Sequence, residues 1–227
     1  MRLLTPTEAR VLGTLMEKAR TVPDSYPLSL NTLVLGCNQK TSRDPVMELT
    51  ESEAQAAIDT LKKQSLVFEA SSSRVPRFEH NFQRGFAVTE PQAVLLGLLM
   101  LRGPQTPGEL RINSERWYKF ADIASVEDAL GELKTRGDDS GALMVVQLAR
   151  TAGMREQRWA HLLCGEAGLM PFAQAPSADG AINREAEPLS LGQAERLQQR
   201  IETLETQVTQ LQSQLAHVYK ELGLSQA

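Results

Sequence analysis

The chain has 227 residues and a formal net charge of −4, and 41% of its residues are hydrophobic. This apolar fraction is enough for a buried core, which excludes global disorder, and the length predicts one or two domains. No apolar run reaches the roughly 18 residues that a membrane-spanning helix needs, and the first residues lack a signal-peptide pattern. The mild acidity argues against a generic nucleic-acid coat, for which a pI above about 9 is usual.

The acidic excess lies at one end of the chain. Residues 1–84 carry 11 basic and 10 acidic side chains, and residues 85–165 carry 9 and 10. Residues 166–227 carry 4 basic and 8 acidic side chains, so this segment alone accounts for the whole net charge. The rest of the chain is therefore nearly neutral, and a neutral surface can still present basic patches to an anionic partner.

Two stretches share one pattern. TPTEARVLGTLM begins at Thr5 and TEPQAVLLGLLM begins at Thr89, and six aligned pairs are identical at an offset of 84. A second match, at an offset of 81, aligns Arg74, Arg77, Phe78 and His80 with Arg155, Arg158, Trp159 and His161. Because the matches keep their order, they predict two copies of one domain, residues 1–84 and residues 85–165.

The first copy begins with a predicted helix. Thr5 is a suitable N-cap, Pro6 suits the first helical position, and Glu8 completes a capping box. Apolar residues follow at helical spacing on one face. These residues are Val11, Leu12, Leu15 and Met16.

Two more helices and a hairpin are predicted in this copy. Ser29 favours a short second helix through Leu35, and Thr50 begins a third through Leu61. Leu66–Ala70 and Val75–His80 are typical of two strands joined by a turn.

The second copy repeats this order. The predicted elements are the helices Glu90–Leu101, Thr106–Ile112 and Ser125–Thr135 and the strands Leu143–Ala149 and Glu156–Cys164. Three helices followed by a hairpin form the winged-helix pattern, an elaboration of helix-turn-helix. The predicted fold class is therefore mainly α with small β-hairpins (α+β). The first helix of this copy is apolar almost all round, which favours burial on two sides, including against the first copy.

The end of the chain has two further patterns. Residues 166–190 are rich in Ala, Gly, Pro, Ser and Glu, which predicts a flexible linker. Residues 191–227 carry a strict heptad pattern, which predicts a parallel coiled-coil homodimer. Its a and d positions are Leu197, Ile201, Leu204, Val208, Leu211, Leu215, Val218 and Leu222. A single amphipathic helix that folds onto its own body is the alternative.

Candidate nucleic-acid contacts lie in the loop before the third helix and in the two hairpins. They are Asn38, Gln39, Lys40, Arg43, Arg74, Arg77, Arg150, Arg155 and Arg158. Such side chains hold phosphates, which positions a duplex without reading its sequence. Acidic residues at the start of both third helices repel phosphate and argue against insertion into a groove. A solvated surface with ion pairs such as Arg43–Asp44, or a protein partner, would also explain these residues.

No catalytic constellation is present. The chain has no phosphate-binding glycine loop, no HExxH and no GxSxG. His161 and Cys164 lack further metal ligands, so a structural role is favoured for both, and Cys37 is expected to pack inside the second helix. We therefore expect no enzyme, no metal and no cofactor. Two cysteines are too few for a disulfide framework, which favours a cytoplasmic location.

Two long motifs carry a family likeness. The run VPDSYPLSLNTLVLGCNQKTSRDPVMEL at residues 22–49 and the run RGPQTPGELR at residues 102–111 resemble the bacterial YceH family. The resemblance covers about residues 1–165 and implies two tandem winged-helix domains. It makes the segment from Asn38 to Asp44 a family feature without assigning it an activity. The expected function is DNA binding of a regulatory type, and the alternative is a winged-helix scaffold that docks another protein without binding DNA.

Overall fold

The computed structural model describes residues 3–70, 75–135, 143–150 and 156–165. These residues belong to one compact unit, Met1–Pro176. The predicted linker and the predicted coiled-coil helix lie outside the described residues. The described part is mainly α-helical with two small antiparallel sheets, so the predicted fold class is confirmed. The boundary between residues 84 and 85 stays a prediction.

The first half of the described part contains four helices and three strands. They are α1 (Pro6–Thr21), a short 3₁₀ turn (Pro23–Ser25), β1 (Leu28–Ser29), α2 (Leu30–Cys37), α3 (Glu51–Lys63), β2 (Val67–Ala70), β3 (Arg77–His80) and α4 (Phe82–Gly85). The second half contains α5 (Glu90–Arg102), α6 (Pro107–Ser114), α7 (Ile123–Thr135), β4 (Val145–Gln147) and β5 (Trp159–His161). The predicted order of three helices and a hairpin is present in each half. The turn, β1 and α4 were not predicted.

Capping side chains fix the helix starts. The backbone nitrogen of Glu8 donates to Thr5 Oγ1 at 3.2 Å, and the nitrogen of Thr5 donates to the Glu8 carboxylate at 2.8 Å. The same reciprocal pair joins Thr50 to Glu53 at the start of α3. Each box satisfies two backbone donors that a helix start leaves free, so the predicted starts of α1 and α3 are confirmed.

The sheets support the predicted repeat. In the first half β3 pairs with both β1 and β2, and Phe78 lies opposite Leu28. In the second half β4 pairs with β5, and an isolated bridge joins Trp159 of β5 to Gln105. Leu28 and Gln105 each precede a helix-capping residue by one position, so Phe78 and Trp159 occupy equivalent places in the two halves.

The two halves meet through their equivalent first helices. A Cβ built on Gly13 of α1 would lie 3.5 Å from Met100 Cβ, and one built on Gly97 of α5 would lie 3.2 Å from Met16 Cε. These four residues form two repeat-related pairs, so the contact is reciprocal, as at a twofold interface. Residues 92–101 of α5 are all buried, and α5 also contacts α6, α7 and β5. The predicted burial of α5 on two sides is therefore confirmed.

A buried polar stripe on α1 holds the loop between α2 and α3. Arg10, Thr14 and Glu17 lie on one face, and all three are buried. The Arg10 guanidinium donates to the carbonyl oxygens of Cys37 and Pro45. Burial and the nearby charge of Arg43 lower the pKa of Arg10. This stripe sets the course of the loop that carries most of the first sequence motif.

Candidate interaction surface

The loop from Asn38 to Thr50 is held by its own side chains. Asn38 Nδ2 donates to the carbonyl oxygen of Leu49 at 2.8 Å, and Asn38 Oδ1 accepts from the nitrogen of Leu49 at 2.8 Å. Gln39 Oε1 accepts from Lys18 Nζ at 3.4 Å. Lys40 is exposed. Of these three candidate contacts, Asn38 and Gln39 are engaged within the protein and Lys40 faces solvent.

Arg43, which the sequence predicts as a nucleic-acid contact, is buried and engaged within the protein. Its side chain is 0% exposed, its guanidinium donates to both carboxylate oxygens of Glu17, and it also donates to the carbonyl of Gly36. Burial alone would raise the pKa of Glu17, but the hydrogen bond and charge of Arg43 bring it below its usual range. A phosphate contact would leave this carboxylate without its partner. The expected local pair with Asp44 is replaced by a pair with a residue 26 positions upstream.

The hairpin arginines divide into three groups. Arg77 donates to the carbonyl of Pro27 at 2.8 Å. Arg158 donates to the carbonyl of Pro104 at 2.8 Å and pairs with Glu109 at 2.9 Å. Arg150 is exposed. The remaining two hairpin candidates lie outside the described residues. They are Arg74 and Arg155. Arg77 and Arg158 therefore tie a strand to the segment before a helix, and Arg150 remains open to a partner.

The third helices present acid to solvent. On α3 the exposed side chains include Glu51, Glu53 and Asp59. On α7 the exposed acidic side chains are Glu127, Asp128 and Glu132. The basic side chains of α3 lie at its C-terminal end, and Lys62 there pairs with Glu69 of β2. The exposed faces of α3 and α7, which would enter a DNA groove, are therefore predominantly acidic, as the sequence indicated.

One apolar residue is exposed at the same place in both halves. Leu35 of α2 and Ile112 of α6 each lie six positions after the capping residue, Ser29 or Thr106. They are 67% and 68% exposed, whereas other positions of these two helices, such as Leu33 and Leu110, are fully buried. We call Leu35 and Ile112 the twin apolar pair. This pair is not among the predicted contacts, although the sequence places both residues six positions after a capping residue.

Two half-buried histidines, His80 and His161, and the two free cysteines lie in the packed body of the protein. The Tyr26 hydroxyl accepts from the backbone nitrogen of His80 at 2.7 Å. Burial lowers the pKa of His80 to about 4, with a further contribution from Arg20, and burial lowers the pKa of His161 to about 4. Burial raises the pKa of Cys164 to about 11. Within the described ranges, no three His, Cys, Asp or Glu side chains group as metal ligands would.

The described helices are also too short or too polar for a bilayer. None of them combines the length and the hydropathy that crossing a membrane requires.

Comparisons with known proteins place these features in a family. The family model described as "Protein of unknown function, DUF480" matches residues 4–171. A UPF0502 protein of Polaromonas naphthalenivorans (strain CJ2) is 86% identical over 227 residues, which is 100% of both chains. A UPF0502 protein of Delftia acidovorans (strain DSM 14801 / SPH-1) is 59% identical over 98% of this chain and 94% of the relative. The predicted resemblance to a bacterial family is confirmed.

Proposed function

The chain belongs to the family described as "Protein of unknown function, DUF480", and we propose that it is a non-enzymatic docking protein of regulatory type. In this proposal its two halves are tandem winged helices that bind a protein partner. The twin apolar pair is the observation that carries the proposal. Single exposed apolar residues are common on soluble proteins, whereas nearly equal exposure at equivalent positions of a repeat suggests a surface used twice.

The charges around the third helices favour this partner over DNA. A helix that enters the major groove usually brings Arg, Lys, Asn or Gln to base edges. Here α3 and α7 expose carboxylates, which a phosphate backbone repels. An apolar contact at the centre with charged residues around it is typical of protein interfaces. A partner that offers apolar anchors and basic side chains would match the exposed apolar and acidic residues of the two halves.

DNA binding is the second candidate, and exposed cations favour it. Lys40 and Arg150 are exposed, and so are Arg116 and Lys119 between α6 and α7. The two hairpin arginines outside the described residues belong to the same predicted set. If these cations hold phosphates, the affinity for DNA should fall steeply as the salt concentration rises.

Fluorescence anisotropy with a labelled duplex of mixed sequence separates the two candidates. At about 50 mM salt and micromolar protein, we expect no saturable binding, because low salt favours every phosphate contact. Saturable binding that weakens with salt and falls in the double variant Lys40→Glu/Arg150→Glu would overturn the docking proposal and support DNA binding.

Affinity capture from a nuclease-treated bacterial lysate tests the docking surface. The double variant Leu35→Asp/Ile112→Asp should lose a stoichiometric partner that the wild-type chain retains. The matched control Val46→Asp/Ile123→Asp changes two other exposed apolar residues by the same charge and should retain it. Equal capture by both variants would contradict the role of the twin apolar pair.

The C-terminal segment supplies a further part of the proposal. We propose a cytoplasmic homodimer that forms through residues 191–227, because the heptads favour a parallel pair. Light scattering should give a dimer for the full chain and a monomer after deletion of this segment. A dimer that survives the deletion would contradict the coiled coil.

A further inference from the structure

A polar pocket of about 300 Å³ lies where the two sequence motifs meet. Its volume is at the small end of the range for ligand pockets, roughly 300–1,000 Å³. Its wall includes Ser42, Arg43 and Asp44 from the first half and Arg102, Glu109 and Arg158 from the second. We call it the junction pocket. The interaction surface described above does not use Ser42, Asp44 or Arg102.

The three arginines of the junction pocket differ in how their charge is balanced. Arg43 pairs with Glu17, and Arg158 pairs with Glu109. Arg102 donates to two neutral acceptors, Asn113 Oδ1 at 2.8 Å and Ser42 Oγ at 2.8 Å, and it forms no ion pair with any described carboxylate. Its guanidinium is half-buried, and burial lowers its pKa. Arg102 is therefore a positioned cation that forms no salt bridge with a described residue, and the Glu17 carboxylate acts on it only at longer range.

A chain of hydrogen bonds orients the Arg102 guanidinium. Gln105 is buried and donates to the carbonyl of Leu98 at 3.2 Å, while its own oxygen accepts from Asn113 Nδ2 at 2.7 Å. Because the Asn113 amide nitrogen is thus engaged, its oxygen is the atom left to accept from Arg102. Ser42, the other acceptor, has a φ of 61°, a left-handed conformation that residues with a Cβ rarely adopt. Strain of this kind often occurs at functional sites.

The two halves differ at the repeat position of Arg102. The second half has an arginine without a salt bridge there, and the first half has a paired lysine. At the offset of 84, Arg102 corresponds to Lys18 and Leu101 corresponds to Glu17. Lys18 lies 3.1 Å from the Glu17 carboxylate, so the first half neutralises this position locally. In the second half the residue before Arg102 is Leu101, which has no charge to pair with it. The two copies have thus diverged at the residue that lines the pocket.

The pocket also contains an acidic group that forms no salt bridge with a described residue, although its charge acts on Arg10 at longer range. Asp44 is exposed, and its carboxylate forms no ion pair or side-chain hydrogen bond with the described residues. Two of the five N–H groups of Arg102 are engaged, and a guanidinium binds a carboxylate through two parallel hydrogen bonds. We propose that the junction pocket binds a small zwitterion, with Arg102 taking its carboxylate and Asp44 taking its ammonium group. An α-amino acid has this chemistry.

The experiment titrates the full chain with L-amino acids, acetate, methylammonium and inorganic phosphate, and it follows binding by calorimetry and by NMR shifts. At least one amino acid should bind saturably and more tightly than acetate or methylammonium alone. Arg102→Gln should weaken this binding about tenfold or more, since a hydrogen-bonded charge is lost. The matched variant Arg116→Gln changes an exposed arginine outside the pocket and should leave binding unchanged.

Asp44→Asn keeps the proposal testable if Arg102→Gln fails to fold, because Asp44 is exposed. This variant should weaken amino-acid binding without weakening acetate binding, because it removes a negative charge that only an ammonium group would contact. The proposal is overturned if no amino acid binds at millimolar concentration. It is also overturned if phosphate binds more tightly than every amino acid and Asp44→Asn has no effect, since the pocket would then recognise only an anion.

Discussion

Mild acid should destabilise this fold before most of its carboxylates titrate, because two half-buried histidines are neutral in the folded chain. The pKa of His80 and that of His161 are both about 4 in the folded chain, whereas an unfolded histidine titrates near pH 6.5. Between these values the unfolded state binds more protons than the folded state. The free energy of unfolding therefore falls as the pH falls from about 6.5 towards 4.

The size of the effect follows from the same pKa values. At pH 5 the unfolded histidines are almost fully protonated and the folded ones are almost fully neutral. Each histidine then costs about 2 kcal/mol between pH 7.5 and pH 5, and the two together cost about 4 kcal/mol. Typical domains have only about 5–15 kcal/mol of stability. Glu17, whose folded pKa lies below its usual range, adds its loss only at lower pH, below about 4.5.

Urea unfolding of the full chain, followed by circular dichroism from pH 7.5 to pH 5, measures this loss. His80→Gln and His161→Gln should each remove about half of the pH dependence, whatever their stability at pH 7.5. NMR titration of the imidazole protons should give folded pKa values near 4. A free energy of unfolding that changes by less than about 1 kcal/mol over this interval would refute the reasoning, and so would assigned imidazole signals of His80 and His161 that titrate near 6.5.

Two further predictions concern packing. Arg43→Met should lower the free energy of unfolding by roughly 1–3 kcal/mol, because the buried Glu17 carboxylate loses its guanidinium donor and keeps only Lys18 beside it. Urea unfolding measures this loss, and a change within error of zero would contradict the contribution of the ion pair. Gly97→Ala should lower the free energy of unfolding by about 1–3 kcal/mol, because the new Cβ would lie only 2.7 Å from Trp117 Cζ3. Its control is Gly131→Ala on α7, which meets nothing within 4 Å and should stabilise by about 0.5–1 kcal/mol. The thermal midpoints should move in opposite directions, and a common direction would contradict the packing argument.

The helix starts could be predicted from sequence because their determinants are local. The boxes Thr5–Glu8 and Thr50–Glu53 join residues three positions apart, so the sequence alone contains both partners. The same holds for the apolar face of α1, whose spacing is fixed by the helical repeat. These features required no knowledge of how the elements pack.

The candidate contacts could not be predicted as well, because burial depends on distant partners. Arg10 and Glu17 read as ordinary solvent-facing residues of an amphipathic helix, yet both are buried. Their partners in the loop are Cys37 and Arg43, which lie 27 and 26 positions away. Nothing local distinguishes Arg43 from the exposed Lys40, so the sequence assigned both to the same surface.

The two proposals each use residues from both halves, and this makes a relation between them testable. The twin apolar pair is divided between the halves, whereas the junction pocket takes Ser42 from one half and Arg102 from the other. A zwitterion that bridges these segments should therefore change how the halves present Leu35 and Ile112. By linkage, any factor by which the amino acid changes partner affinity must equal the factor by which the partner changes amino-acid affinity. Calorimetry in both orders measures the two factors. Independence in both directions would mean that the pocket and the docking surface are uncoupled.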